Sequence, residues 1–290
     1  MSTLRELKGR IGSVASSEKI TGAMKMISSA KMHKAELALA KLVPFRSQLQ
    51  TIMGNLVATD AEYTSELTDV RNVEKVAIVV IGSDDGLCGA YNINIFKDLL
   101  ARINELRAAR EGVSVVVYPI GKKMVKAVSK IAAPGIEVDC QPLGAKADAA
   151  QVREFTALLR DRFVARELDR VEVLDMHYFS AGRQRIENKV LLPVSAESFG
   201  TPENANTPYL FEPNPNKIYN TILPLYIISV MQESFMQNAA SEQAARVMAM
   251  QAANDNAGKL LESLKLEFNK LRQQSITTEL LDILGGQVDK

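Results

Sequence analysis

Apolar side chains recur at spacings of three and four residues at both ends of this chain, and in β-branched runs between them. Near the N-terminus Leu4, Leu7, Ile11 and Val14 form one such series. Ile20, Ala23, Ile27 and Ala30 resume it after a phase slip, and Ala35, Ala38, Leu42, Phe45, Leu49, Ile52 and Leu56 continue it. Sustained spacing of this kind predicts a helix with a coiled-coil seam over residues 1–57. Thr3 and Glu6 make a capping box at its start, each side chain able to satisfy an orphan donor of the first turn. Pro44 is expected to kink the helix, because it cannot bond to the carbonyl of Ala40. Two shorter helices meeting there are the alternative.

A second helical series fills residues 214–285. Asn214 is placed to cap it and Pro215 to occupy its first position. Ile218, Ile222, Leu225 and Tyr226 begin the apolar series, and Leu261, Leu264, Phe268 and Leu271 carry it on. Pro224 is expected to bend it near its start. Its middle is rich in small residues, Ala239-Ala240-Ser241 and Ala244-Ala245 among them, which allow close helix approach and a slim shaft. Asn254-Asp255-Asn256 with Gly258 could break the helix, but the spacing resumes at once, so a continuous helix is expected. Some 70 helical residues would reach roughly 100 Å, far beyond a compact domain of this mass. Two seams of similar character suggest an antiparallel pair whose C-terminal member is longer by about 14 residues, roughly 20 Å.

Between the seams the periodicity changes. Residues 58–74 are polar and read as a linker. Lys75 to Ile81 is a buried strand by its apolar, β-branched run. Further strands are expected at Gly112–Pro119, Ile136–Cys140 and Val171–Ser180, with an edge strand formed by Arg183 and Glu187–Val194. Helices are expected at Asn92–Arg110, Lys122–Ile131 and Gln151–Arg166. This alternation predicts an α/β domain over residues 75–200 with a largely parallel sheet. Residues 201–213 are a Pro- and Asn-rich loop.

Charge adds an asymmetry. The chain of 290 residues has a net charge of +1, yet residues 1–57 carry nine Lys/Arg against three Asp/Glu, a net of +6. An acidic partner surface therefore suits the N-terminal helix. The middle is net acidic, which argues against nucleic acid as a partner. Cys88 and Cys140 have no Cys-x-x-Cys spacing, and His33 and His177 lack a spaced partner, so neither a metal site nor a disulfide framework is expected. No apolar run approaches the length of a membrane span, and no apolar signal core opens the chain, so direct membrane insertion is not expected.

Catalytic chemistry finds no constellation. The turn Gly82-Ser83-Asp84-Asp85-Gly86-Leu87-Cys88-Gly89 leads into a helix, as phosphate-binding turns do. It lacks both the Gly-x-Gly-x-x-Gly spacing and a Lys-Ser/Thr pair, and its aspartates would repel phosphate. A turn that carries the first crossover is the other reading. Gly121-Lys122-Lys123 lacks an upstream glycine, and His177 reads as a core or sheet-face residue. No cofactor is expected. The stretch Lys19 to Lys34 is basic and Met-rich. It reads either as a solvated face with seam residues, or as an adaptable contact against an acidic surface.

Four motifs carry a resemblance: Lys19-Ile20-Thr21-x-Ala23-Met24-Lys25-Met26; Ser83-Asp84-x-Gly86-Leu87-Cys88-Gly89-x-x-Asn92; Ala240-Ser241-Glu242 through Arg246 to Ala249-Met250; and Arg272-Gln273-x-Ser275-Ile276-Thr277-x-Glu279. In this order and spacing the sequence resembles the gamma subunits of F-type rotary ATP synthases, over nearly its whole length. The resemblance implies an antiparallel coiled coil of the terminal helices with an inserted Rossmann-like α/β domain. It implies a rotor that transmits torque from a proton-driven ring of c subunits to the catalytic sites of an alpha-beta hexamer. Such a chain is no enzyme on its own but a non-catalytic subunit of the proton-translocating ATPase. Its implied partners are the alpha and beta subunits, the epsilon subunit and the c ring. The implied place is a peripheral membrane complex on the cytoplasmic face of a bacterial inner membrane, since no transit peptide points to a mitochondrial matrix.

Residue by residue, Met24 and Lys25 match positions that face the acidic catch loop of beta, and Arg246, Gln273, Thr277 and Glu279 match positions that meet beta nearer the tip. Tyr209 and Glu212 match positions toward the c ring and epsilon. Gly22, His33 and the ending Gly286-Gln287-Val288-Asp289 depart from the family pattern. A coiled-coil scaffold would explain the seams but not the insertion, and a nucleotide-binding α/β enzyme the insertion but not the seams.

Overall fold

The computed structural model describes residues 3–58, 63–110, 112–131, 134–199 and 212–285. Helix α1 (Leu4–Val57) opens on the expected capping box. Thr3 N donates to Glu6 Oε2 at 2.9 Å, and Glu6 N donates to Thr3 Oγ1 at 3.2 Å. The helix passes through Pro44 as one element, so two helices do not meet there. Pro44 and Ala40 are both exposed, which leaves the freed Ala40 carbonyl open to water.

The middle alternates as its periodicity implies: β1 (Lys75–Ile81), α2 (Tyr91–Ala109), β2 (Ser114–Ile120), α3 (Lys122–Val128), β3 (Ile136–Val138), α4 (Ala149–Val164), β4 (Arg170–Ser180) and β5 (Arg183–Leu192). Element ends differ from expectation by a few residues, where apolar patterning is weakest. Helix α5 (Pro215–Gly285) completes the chain. Asn214 caps it, Oδ1 accepting from Lys217 N at 2.8 Å. Pro224 and the Asn254–Gly258 stretch both lie inside this single helix.

Two compact units form, one from Met1–Ser29 with Arg246–Lys290 and the other from Ala30–Ala245. The larger holds a five-stranded sheet of order β3-β2-β1-β4-β5, parallel except for the antiparallel edge pair β4–β5. Alternate strand residues serve opposite layers. Val76, Ile78, Val80, Val115 and Val117 pack with Ile95, Leu99 and Ile103 of α2 and Met124 of α3. Ala77, Val79, Ile81, Tyr118 and Val173 face α4 through Phe155 and Leu159, and also Met53, Leu56, Leu223 and Ile227 of the long helices. Burial on both faces explains the unbroken apolar runs. The linker contributes a short 3₁₀ turn, Glu66–Thr68, whose Leu67 is buried.

The smaller unit is an antiparallel helix pair. A Cβ at Gly22 would meet Asn254 Nδ2 at 3.3 Å, and one at Gly258 would meet Glu18 Oε1 at 3.4 Å. Asn254 Nδ2 donates to the Glu18 carbonyl at 2.7 Å. Leu7, Ser28, Met250, Leu261 and Leu264 are buried here.

This seam corrects the sequence reading. Ile20 and Ile27, expected inside, are 59% and 55% exposed, and Ala23 is exposed with them. Thr21, Gly22 and Ser28 turn inward instead. Close backbone approach admits glycine, serine and threonine and excludes isoleucine, so an apolar pattern selects the wrong face. In the larger unit Phe45 and Ile52 are likewise exposed, while Arg46, Leu49, Met53 and Leu56 turn inward.

Candidate partner interface

In open α/β sheets a ligand crevice forms at the carboxyl ends of strands where the strand order reverses. Here that point lies between β1 and β4, beside the Gly82 turn, and the chain's own helix fills it. Asn238 of α5 is fully buried, and its Nδ2 donates to the Gly82 carbonyl at 2.9 Å. The Tyr91 hydroxyl donates to Asn238 Oδ1 at 2.5 Å. Ser241 Oγ donates to the Met176 carbonyl at 2.9 Å, and Tyr178 N donates to Gln237 Oε1 at 2.9 Å. The small residues of α5 therefore seat the helix on the strand ends, where Ala240 and Ala244 are fully buried. This replaces the expectation that they thin a shaft.

The turn itself is closed by internal bonds. Gly82 N donates to the Ile120 carbonyl, Ser83 N to Asn92 Oδ1, and Lys123 N to the Ser83 carbonyl. A Cβ at Gly121, whose φ is 91°, would lie 2.9 Å from the Ser83 carbonyl carbon, so only glycine fits. Asp84 Oδ1 accepts from Lys122 N at 3.1 Å, and Asp85 pairs with Lys146 at 2.6 Å. The aspartates that would repel phosphate thus hold the turn to its neighbours. The turn carries the crossover rather than an open phosphate cradle.

Charged groups inside the sheet layers are paired. Glu172, with its side chain fully buried, takes two bonds of 2.8 Å from Arg102 and one of 2.6 Å from Asn188. Burial pushes its carboxyl up, but these bonds and the charges of Arg102 and Arg170 outweigh burial and hold it below the ordinary range. Asp175, also buried, lies 3.2 Å from Lys189, and burial raises its carboxyl despite that partner. His177 is a sheet-face residue, 3.5 Å from Glu187, its ring tilted at 60° to that of Phe179 with centroids 4.5 Å apart. Among the described residues no three His, Cys, Asp or Glu side chains gather as a metal-binding group. No described helix is long and apolar enough to cross a membrane.

The expected partner residues divide by exposure. Gln273, Thr277 and Glu279 are exposed on the last turns of α5, beside exposed Ile276, Leu280 and Leu281. Met24 and Lys25 are half-buried on α1, while Met26 beside them is 74% exposed. Arg246 is 5% exposed, so its guanidinium is not presented as a free surface charge. Glu212 is exposed just before α5, and Tyr209 lies outside the described residues. Sequence reasoning missed the outward stripe of Ile20, Ala23, Met26 and Ile27. The signal was present in Gly22, Thr21 and Ser28, which share the opposite face.

Comparison with known proteins follows the same architecture. A family model described as ATP synthase matches residues 3–288. The ATP synthase gamma chain of Parabacteroides distasonis is 38% identical over 286 residues, covering 99% of this chain and 98% of that one. That of Phocaeicola vulgatus is 38% identical over 293 residues, covering 99% and 100%. Among solved structures, a chain of the Euglena gracilis mitochondrial ATP synthase, in an assembly described as OSCP/F1/c-ring, matches with a TM-score of 0.66. It is 20% identical, and the match covers 98% of this chain and 93% of that chain. One from the Tetrahymena thermophila mitochondrial ATP synthase central stalk and c ring matches with a TM-score of 0.60 and 21% identity, covering 81% and 99%. At these identities the two structures speak to fold.

Proposed function

The chain belongs to the ATP synthase gamma chain family, and on that premise we propose that its helix pair turns inside an alpha-beta hexamer while its α/β unit grips the epsilon subunit and the c ring. It is a non-catalytic subunit of the ATP synthase complex and the central stalk of its rotary mechanism. Proton flow turns the ring, the ring turns this chain, and the changing face presented to each beta subunit alters that subunit's hold on nucleotide. ATP hydrolysis drives the same parts in reverse.

One observation carries the assignment of surfaces. On the helix pair, an apolar stripe of Ile20, Ala23, Met26 and Ile27 faces outward, and Ile276, Leu280 and Leu281 are exposed near the end of α5. Contiguous apolar surface of this kind marks a partner site. Lys25 adds a positive charge beside it, suited to an acidic loop of beta. Gln273, Thr277 and Glu279 supply polar contacts at the tip, and Met24 an adaptable one. Arg246, being 5% exposed, is assigned an edge contact with beta. Glu212, with Tyr209, is assigned to the c ring and epsilon. The complex sits on the cytoplasmic face of a bacterial inner membrane, without insertion of this chain into lipid.

The nucleotide-binding alternative is not favoured, because Asn238 and Ser241 occupy the crevice that reading requires. The test is affinity purification of the chain from detergent-solubilised membranes. Recovery of alpha, beta, epsilon and c subunits supports the assignment, and recovery of the chain without alpha and beta contradicts it. Replacing Lys25 with Glu should weaken ATP-driven proton pumping. Normal pumping in that variant removes Lys25 from the interface.

A further inference from the structure

Torque must pass between the sheet and the long helices packed on it, and the bonds that resist twisting there can be traced. Between Ala30 and Gln48, α1 has no fully buried side chain; its apolar anchoring begins at Leu49, Met53 and Leu56. In this thinly packed stretch polar contacts fasten it. Arg46 of α1 pairs with Glu233 of α5. Gln237, one turn further along α5, donates to Glu233 Oε1 at 3.5 Å and accepts from Tyr178 N of β4 at 2.9 Å. The Tyr178 hydroxyl returns to α1 by donating to Glu36. The path leaves α1 at Arg46, crosses α5 and the sheet, and closes on α1 at Glu36.

We propose that this ring of Arg46, Glu233, Gln237, Tyr178 and Glu36 is the torsional lock that fixes α1 to α5 and to the sheet during rotation. The inference rests on the rotor function proposed above. Apolar burial is non-directional and permits small slides of one helix over another, whereas hydrogen bonds weaken steeply away from their axis. A ring spanning three elements therefore opposes both rotation and translation of α1. Glu233 and Gln237 are only 7% and 4% exposed, so slippage would leave buried polar groups without partners. Tyr178 is held neutral, its pKa pushed up to about 12 by burial and by the Glu36 carboxylate, which keeps it a donor across the physiological range.

The experiment uses the whole ATP synthase in sealed vesicles, with ATP hydrolysis and proton pumping read in parallel. Tyr178→Phe and Glu36→Leu each remove the same bond, and each is expected to raise the uncoupled fraction of hydrolysis about tenfold against an opposing proton gradient. Glu36→Gln keeps an acceptor and should stay within about twofold of the unsubstituted complex. The double variant should be no worse than Glu36→Leu alone, which already removes the Tyr178 bond together with the 3.5 Å contact to His33. A merely structural role would lower assembly and leave the pumping-to-hydrolysis ratio of assembled complexes unchanged. Unchanged coupling in both single variants overturns the lock. Should Glu36→Leu fail to assemble, Tyr178→Phe, which loses one oxygen, decides the matter. Gln237→Leu in the assembled complex should speed amide exchange at Tyr178 N–H, and unaltered exchange overturns the α5–sheet link. Failure of the unsubstituted chain to support pumping counts instead against the rotor function.

Discussion

Asn238 joins two parts of the fold that lie far apart in sequence: its Oδ1 accepts from the Tyr91 hydroxyl at 2.5 Å, while its Nδ2 donates to the Gly82 carbonyl at 2.9 Å. One amide thus closes the crevice where a doubly wound sheet would otherwise receive a ligand. Asn238→Ala removes the amide from the buried Gly82 carbonyl and leaves the Tyr91 hydroxyl with the backbone carbonyl of residue 238, 3.1 Å away, and should cost about 1–3 kcal/mol. Urea unfolding of the purified chain measures this. The variant should gain no measurable ATP affinity, because the Gly82 turn still lacks a free phosphate cradle, and equilibrium binding checks that.

The helix pair is fitted around Gly22. Gly22→Ala adds helix propensity of up to about 1 kcal/mol, offset in part because its Cβ presses on Asn254 Nδ2, 3.3 Å away and held by the Glu18 carbonyl at 2.7 Å. The expected outcome is a gain of about 0.5 kcal/mol. Gly22→Leu cannot fit beside Asn254 and should lose about 2 kcal/mol through overpacking. Thermal unfolding of the two variants should therefore move in opposite directions.

Asp175 provides a pH dependence of known sign. Burial raises its carboxyl above the ordinary 3.8, so in the native chain its ionisation is disfavoured relative to the unfolded chain. The stability tied to its protonated form is complete below about 4 and is lost as pH rises through the raised native value. Asp175→Asn, which cannot ionise, should gain stability relative to the unsubstituted chain over that rise. Urea midpoints across acid to neutral pH report it, and parallel curves would contradict the assignment.

The outward stripe on α1 separates folding from assembly. Ile20→Asp and Ile27→Asp alter side chains that are more than half exposed, so the chain's own stability should shift by no more than about 0.5 kcal/mol. Recovery of alpha and beta subunits with the tagged chain should fall sharply in the double variant. A fall in stability without loss of these subunits would place the stripe inside the fold instead.

The middle of the chain was legible because strands buried on both faces must be apolar throughout, as Lys75–Ile81 and Ser114–Ile120 are. Helix ends were legible where side chains cap them, at Thr3, Glu6 and Asn214. The seam between the long helices was not. Reading apolar residues as inward assigns Ile20 and Ile27 to the pair, yet close approach at Gly22 and Asn254 turns them out. A surface built for a partner is apolar for the same reason that a core is, and one chain's pattern cannot separate the two. The closed crevice was half legible: Asp84 and Asp85 argued against phosphate, but nothing local linked Asn238 to Gly82, 156 residues away. Arg246 reads as a surface charge in sequence and is buried in the fold.

This chain couples proton movement to catalysis without catalysing anything itself. Inner-membrane vesicles from cells lacking the native chain, assembled with and without it, test this through ATP-driven proton pumping. Pumping should be absent without the chain and restored with it, while the chain alone neither binds nor hydrolyses ATP. Equal pumping in its absence, or ATP turnover by the isolated chain, would contradict the account.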